Sequence, residues 1–195
     1  MPQTLAQKIL QAHTDEAVRC DGQIIQCRVS MVLANDITGP LAIKSFRGMG
    51  AEKVFDKDRI ALVMDHFTPQ KDIDSANQVL ISRNFAEEQG ITHYYEGGDC
   101  GVEHTLLPEQ GLVAPGDLVI GADSHTCTYG GIGAFATGMG STDIAAAMAL
   151  GETWLKVPPT IRVEIRGEMP RWLRAKDLML LLIGAIGVDL SLIHI

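Results

Sequence analysis

The sequence predicts an α/β protein with three layers, in which helices cover both faces of a mainly parallel sheet. Short apolar segments alternate with segments of helical periodicity along residues 4–154. Glycine or proline follows several of them, as at Gly50, Gly90 and Pro158. Polar residues stand directly after some of the apolar segments, as at Asp65. Strands that alternate with helices favour parallel pairing, so these patterns together predict the αβα arrangement.

The first half of the chain is expected to contain three helices and three strands. Helical spacing of apolar residues predicts helices at 4–12, 38–49 and 73–89. Thr4 caps the first helix, and Gly50 and Gly90 end the other two. Alternating or continuous apolar residues predict strands at 24–33, 59–64 and 91–95.

The second half continues this alternation as far as a predicted domain boundary. We expect a strand at 118–122 and a helix at 142–154, with Ser141 or Thr142 as the helix cap. Pro158 and Pro159 then interrupt regular structure, because proline cannot continue a helix. Residues 1–157 are therefore assigned to one α/β domain. Residues 158–195 are assigned to the start of a second α/β domain, with a strand at 161–165 and a helix at 175–186.

Composition excludes several classes of function. The chain has 195 residues and a net charge of −8, which argues against nucleic acid as its main partner. Its longest apolar stretch, 178–188, is shorter than the roughly 20 residues that span a bilayer, so no membrane association is expected. No export signal opens the sequence, and a cytoplasmic location is expected. The four cysteines form no Cys-x-x-Cys pair and are interpreted as reduced thiols.

Three polar clusters follow predicted strands. They are Asp65 with His66, the segment 99–104 that ends in His104, and Asp123-Ser124-His125. Each cluster alone is better explained by local structure, with Asp65 and Asp123 capping turns, His104 a surface residue and Ser124 capping the following helix. The carboxyl ends of parallel strands meet at one edge of a sheet, so the three clusters are expected to converge on one crevice. Imidazoles with neighbouring carboxylates are suited to general acid–base catalysis.

The segment Gly131-Ile132-Gly133-Ala134-Phe135-Ala136 matches the glycine pattern of a dinucleotide site. The preceding strand is predicted to end near Ala122, which leaves too long a loop for the tight turn that this pattern requires. We interpret these glycines as a loop that bends closely around the site. A dinucleotide-binding module nevertheless stays open as an alternative.

Several motifs give the chain a specific resemblance. Ala-Asn-Asp-Ile-Thr-Gly-Pro at 34–40, Leu-Leu-Pro-Glu-Gln-Gly at 106–111, Gly-Ala-Asp-Ser-His-Thr-Cys-Thr at 121–128 and Gly-Ser-Thr-Asp at 140–143 occur in the same order as in the aconitase superfamily. Within it, the chain is most similar to the large subunits of the isopropylmalate dehydratase branch, in the variant shared with homoaconitase-like enzymes. The resemblance covers about residues 4–189.

The resemblance implies a hydro-lyase that removes water from a 2-hydroxy dicarboxylic acid and adds it back at the neighbouring carbon. It implies that His66, oriented by Asp65, protonates the leaving hydroxyl group. His104, Asp123 and His125 would hydrogen-bond the reacting oxygen. Ser124 would bind a substrate carboxylate, and Asn35 would contact substrate.

The resemblance also implies a [4Fe-4S] cluster, whose cysteine ligands lie on later segments in the family. None of Cys20, Cys27, Cys100 and Cys127 matches those ligands. The chain is therefore expected to be an N-terminal fragment that binds no cluster and no tight stoichiometric metal, and that is inactive and colourless alone. Its expected partners are a small subunit of the same enzyme and the hydroxy acid.

Two interpretations outside the hydro-lyase class stay open beside the dehydratase, homoaconitase, aconitase and methylmalate-type activities of the superfamily. A mononuclear metal hydrolase could use Asp65, His66, His104, Asp123 and His125, because imidazole and carboxylate ligands suit zinc or iron. The dinucleotide-binding module described above is the other.

Overall fold

Residues 3–187, described by a computed structural model of the chain, form a parallel sheet with helices packed against it. In this part of the chain the strands are β1 (Ile24–Arg28), β2 (Met31–Asn35), β3 (Ile60–Val63), β4 (His93–Tyr95), β5 (Leu118–Gly121), β6 (Phe135–Gly138) and β7 (Glu152–Lys156). The α-helices are α1 (Leu5–Ala12), α2 (Gly39–Gly48), α3 (Ile73–Gln89), α4 (Glu103–Glu109), α5 (Ser141–Leu150) and α6 (Ala175–Ile186). Two 3₁₀ segments span Gly97–Asp99 and Thr126–Ile132.

The main sheet has five parallel strands in the order β4-β3-β2-β5-β6. The chain runs outward from β2 through β3 to β4, and then crosses to the other side of β2 for β5 and β6. Ligands of open α/β sheets bind beyond the carboxyl ends of the strands at such a reversal. The topology therefore places the candidate site beyond the ends of β2, β3 and β5.

Two hydrophobic cores lie on opposite faces of this sheet, because successive side chains of a strand point to opposite faces. Val32 and Ala34 of β2 belong to the core that is covered by α1, α2, α3 and α5. Met31 and Leu33 belong to the core covered by α4 and the segment Thr126–Ile132. The predicted three-layer α/β class is confirmed by this arrangement.

Several predicted helices agree with the structure. Helix α3 has the predicted bounds, with Asp72 as its N-cap and Gly90 as its C-cap. Helix α6 also has the predicted bounds. Thr4 caps α1 as expected, since its side chain accepts a hydrogen bond from the amide of Gln7.

The predicted strand at 24–33 is wrong as a single element. Strand β1 pairs with β7 in a separate two-stranded antiparallel sheet, whereas β2 lies at the centre of the main sheet. The chain changes sheets at Ser30, whose hydroxyl group accepts a hydrogen bond from the amide of Leu118. The two partner strands are distant in sequence, so the apolar pattern of 24–33 alone did not reveal the break.

The predicted helix at 142–154 is too long. Helix α5 ends at Leu150 because Gly151 adopts a left-handed conformation (φ 73°), and Trp154 lies in β7. A side chain at Gly151 would also collide with the ring of Phe55. The predicted capping by Ser141 or Thr142 is wrong, since the N-cap is Gly140 and no side chain caps this helix.

The region after Lys156 contains the predicted helix at 175–186 but not the predicted strand at 161–165. Residues 161–165 are irregular and exposed, so the predicted strand is absent from the described part of the chain. No residue of α6 is buried. The boundary between 157 and 158 stays a prediction, and residues 188–195 of the predicted second domain lie outside the described residues. None of the helices within 3–187 combines the length and hydropathy needed to cross a bilayer.

The loop with Gly131 and Gly133 leads into strand β6 and not into a helix. This strand was not predicted. A dinucleotide site of the predicted type needs a helix N-terminus for the pyrophosphate directly after its glycines. The structure supplies no such terminus at this loop.

Candidate active site

Three loops at the carboxyl edge of the main sheet carry the candidate site. Asp36 follows β2, Asp65 and His66 follow β3, and Asp123 follows β5 by one residue. His104 comes from α4, and its ring contacts Asp123 at the same edge. The structure therefore brings the three predicted polar clusters together, as their positions after parallel strands led us to expect.

His66 is held by carboxylates on both sides of its ring. Its Nδ1 lies 2.6 Å from Asp65 Oδ1, and its Nε2 lies 3.8 Å from Asp123 Oδ2. Asp36 anchors the loop, since its two carboxylate oxygens accept the backbone N–H groups of His66 and Phe67 at 3.1 and 2.7 Å. The His66 side chain is 35% exposed, so the ring is oriented by protein groups and still open to a ligand.

Asp123 is the centre of the site because its carboxylate lies near three imidazoles. Besides the contact with His66, its Oδ1 lies 2.9 Å from His104 Nε2 and 3.3 Å from His125 Nδ1. The same oxygen accepts the backbone N–H of His125 at 2.7 Å. Burial by itself would raise the pKa of Asp123, but the hydrogen bonds from the His125 amide and the His104 ring lower it below its ordinary value. Asp123 is therefore an anion that orients its histidine neighbours.

The remaining predicted residues differ in how accessible they are. Asn35 is 1% exposed, and its Oδ1 accepts hydrogen bonds from the backbone of Ile37 and Thr38. Ser124 is exposed, with its hydroxyl group 3.3 Å from His125 Nδ1. The His125 side chain is 79% exposed. Ser124 and His125 are thus open to a ligand, whereas protein groups occupy the amide of Asn35, and its contact with substrate stays a prediction.

Sequence reasoning missed two buried acids of this site, Asp36 and Glu103. Both are 0% exposed. Each is adjacent in sequence to a selected residue, Asp36 to Asn35 and Glu103 to His104, and this adjacency was the only signal. Their burial depends on loops and a helix that pack together from distant parts of the chain, which a local pattern does not encode.

Nitrogen and oxygen donors at this site come close enough to share one cation. One set is His66, Glu103 and Asp123, whose donor atoms lie within 4.8 Å of one another. His66 and Asp123 are already held by hydrogen bonds to Asp65 and His104, so their positions are explained without an ion.

The cysteines do not fit an iron–sulfur cluster, which requires several thiolates at one place. Within residues 3–187, no potential metal-binding group of three residues includes a cysteine. Burial raises the pKa of Cys27 and of Cys100 to about 11, and it also raises the pKa of Cys127. These thiols are therefore protonated at neutral pH.

Comparisons with known proteins show which sequences this chain is similar to. The Aconitase family (aconitate hydratase) matches residues 7–192. The 3-isopropylmalate dehydratase large subunit of Desulfovibrio desulfuricans is 89% identical over 189 residues, which are 97% of this chain and 45% of that protein. Proteins with the same description from Nitratidesulfovibrio vulgaris and Moorella thermoacetica are 75% and 60% identical over the same shares. The chain thus spans a little under half the length of these curated relatives.

Proposed function

Because this chain belongs to the aconitase family, we propose that it forms one wall of a hydro-lyase active site. The substrate is a 2-hydroxy dicarboxylic acid, and by the names of the relatives it is isopropylmalate, an intermediate of leucine biosynthesis. Water is removed and then added back at the neighbouring carbon. The observation that supports this proposal is the meeting of three imidazoles around Asp123 at the carboxyl edge of the sheet.

We assign to His66 the proton transfer at the leaving hydroxyl group. Its Nδ1 donates a hydrogen bond to Asp65, so the ring is fixed with Nε2 directed toward Asp123 and the open side of the site. When the ring carries both protons, Nε2 donates one to the hydroxyl oxygen as the carbon–oxygen bond breaks, and water leaves. In the reverse step, Nε2 accepts a proton from the water that adds to the double bond.

The other predicted residues bind and orient the substrate in this proposal. His125 and Ser124 are exposed beside Asp123, and they are placed to hydrogen-bond a hydroxyl or carboxylate oxygen. Asp123 and His104 are joined by a 2.9 Å hydrogen bond, which orients both side chains. The carbon-bound proton is removed by a base that we place on segments of the longer relatives outside this sequence.

A cluster and a second subunit complete the site in our proposal. The aconitase family generally carries a [4Fe-4S] cluster, which the thiols of this chain do not fit. We place its cysteine ligands in the part of the longer relatives that this sequence does not cover. The relatives are named large subunits, so we propose a small-subunit partner that binds the distal group of the substrate.

A chimeric dehydratase tests this proposal. The 189 matched residues of the Desulfovibrio desulfuricans large subunit are replaced by those of this chain, and the product is expressed with the small subunit of that organism and iron. We expect interconversion of 2- and 3-isopropylmalate, followed by proton NMR. His66→Asn in the chimera should lower kcat by about 10²–10⁴-fold, because a general acid is lost.

The matched control is His93→Asn, on edge strand β4 and outside the site, which should leave kcat unchanged. A folded, cluster-loaded chimera without turnover would contradict the hydro-lyase proposal. Tight stoichiometric zinc with hydrolytic activity, or binding of a dinucleotide, would favour one of the two other classes.

A further inference from the structure

Glu103 contacts the site through both its backbone and its side chain. Its amide N–H donates to Asp65 Oδ2 at 2.7 Å, and its carbonyl oxygen accepts the hydroxyl group of Tyr129 at 3.0 Å. Its Oε1 accepts a hydrogen bond from Asn35 Nδ2 at 3.4 Å and lies 3.4 Å from His104 Nε2. One buried residue thus joins four parts of the site.

The surroundings of Glu103 disfavour a negative charge. Its Oε2 is buried without a hydrogen-bond partner, whereas both oxygens of the equally buried Asp36 accept backbone N–H groups. Among residues 3–187, no lysine or arginine forms an ion pair with Glu103, Asp65 or Asp123. Burial, followed by the charges of Asp65 and Asp123, raises the pKa of Glu103 to about 8.

The contacts of His104 define one protonation form of its ring. Its Nε2 carries a proton, because it lies 2.9 Å from a carboxylate oxygen of Asp123. Its Nδ1 is buried without a partner, and the ring packs edge-on against Tyr129 with centroids 5.5 Å apart. A second proton on Nδ1 would bury an unpaired N–H group, which is costly. A charged Glu103 beside Nε2 would favour that second proton, and an uncharged Glu103 would not.

We propose that Glu103 is a positioning residue whose uncharged carboxyl group holds Asn35 and keeps His104 a neutral donor to Asp123. The inference rests on the proposed function in one respect, since a neutral His104 leaves His66 as the ring that supplies the proton. The titratable groups that face Glu103 and His104 are Asp36, Asp65, His66, Asp123, His125 and Tyr129.

NMR of the 195-residue chain labelled with ¹⁵N-histidine tests this inference. Ring nitrogen shifts report which nitrogen carries a proton at each pH. We expect His104 to be neutral and protonated on Nε2 at neutral pH, and its shifts to change as Glu103 ionises near pH 8. Glu103→Gln should remove that change and retain the Nε2-protonated ring. Glu109→Gln, at an exposed position of the same helix, should leave the titration of His104 as in the unmodified chain.

Three results would overturn the inference. They are a doubly protonated His104 at neutral pH, an identical titration of His104 in Glu103→Gln, and loss of folding in Glu103→Gln, which keeps the shape of the uncharged acid. A merely structural Glu103 would not produce a pH-dependent change at the ring of His104. The spectra require no turnover, so their failure would leave the hydro-lyase proposal intact. An inactive chimera would likewise leave the spectra interpretable.

Discussion

Gly138 allows strand β6 to approach the backbone that carries Asp123, and Gly138→Ala tests this close contact. An added Cβ would lie 2.6 Å from the carbonyl oxygen of Asp123 and 3.3 Å from its carbonyl carbon. Carbon–oxygen contacts rarely fall below about 3.3 Å. The segment must therefore move by roughly 0.7 Å, and because backbone atoms form the contact, no side-chain rotation relieves it.

The expected cost follows from this displacement. Overpacking of a rigid site costs about 1–3 kcal/mol, and a chain of this size loses about 2–4 °C in Tm per kcal/mol, so Tm should fall by about 2–12 °C. A displacement of about 0.7 Å at Asp123 would also disturb its 2.9 Å hydrogen bond to His104.

Thermal unfolding followed by circular dichroism measures the stability change, and ¹⁵N shifts of the His104 ring measure the change at the site. The control is Gly131→Ala, at an exposed position of the 3₁₀ segment Thr126–Ile132, where an added Cβ meets no atom within 4 Å. The control should keep the Tm and the ring shifts of the unmodified chain. If Gly138→Ala also kept the Tm and the His104 ring shifts of the unmodified chain, the proposed dependence of the site on the contact between Gly138 and the Asp123 backbone would be refuted.

Three further predictions concern pH, a loop anchor and the core. The folded chain retains the proton of Glu103 up to about pH 8, whereas the unfolded chain loses it near the ordinary pKa of 4.5. Protonation of Glu103 therefore stabilises the folded state fully below pH 4.5, and this stabilisation is lost as the pH rises to 8. At about 1.4 kcal/mol per pH unit, the free energy of unfolding measured in urea should fall by up to about 5 kcal/mol over this pH range. Glu103→Gln should remove this pH dependence. Asp36→Asn should lower the free energy of unfolding by about 1–3 kcal/mol and increase hydrogen exchange in the loop of His66. The reason is that one of the two oxygens that accept backbone N–H groups of this loop is replaced by a donor. Phe46→Ala should cost about 3–5 kcal/mol in urea unfolding, because it removes a buried ring packed edge-on against Phe85 at 5.3 Å; a cost below about 1 kcal/mol would contradict this packing.

Much of the fold could be predicted from local patterns. The bounds of α3 followed from the spacing of its apolar residues and from Gly90, which ends the helix. The α/β class followed from the alternation of strands and helices, and the position of Asp65-His66 and Asp123 after parallel strands predicted one crevice. These features succeed because periodicity, capping and strand polarity are properties of short segments.

The sequence by itself therefore determined the layers, the edge of the sheet that carries the site and the family. Only the tertiary structure decided that residues 24–33 divide between two sheets, that Asp123 contacts three histidines and that Glu103 is a buried acid without charge compensation. The physical reason is the same in each case. Strand pairing, burial and the electrostatic environment of a side chain depend on groups that are distant in sequence, and such groups meet only when the chain is folded.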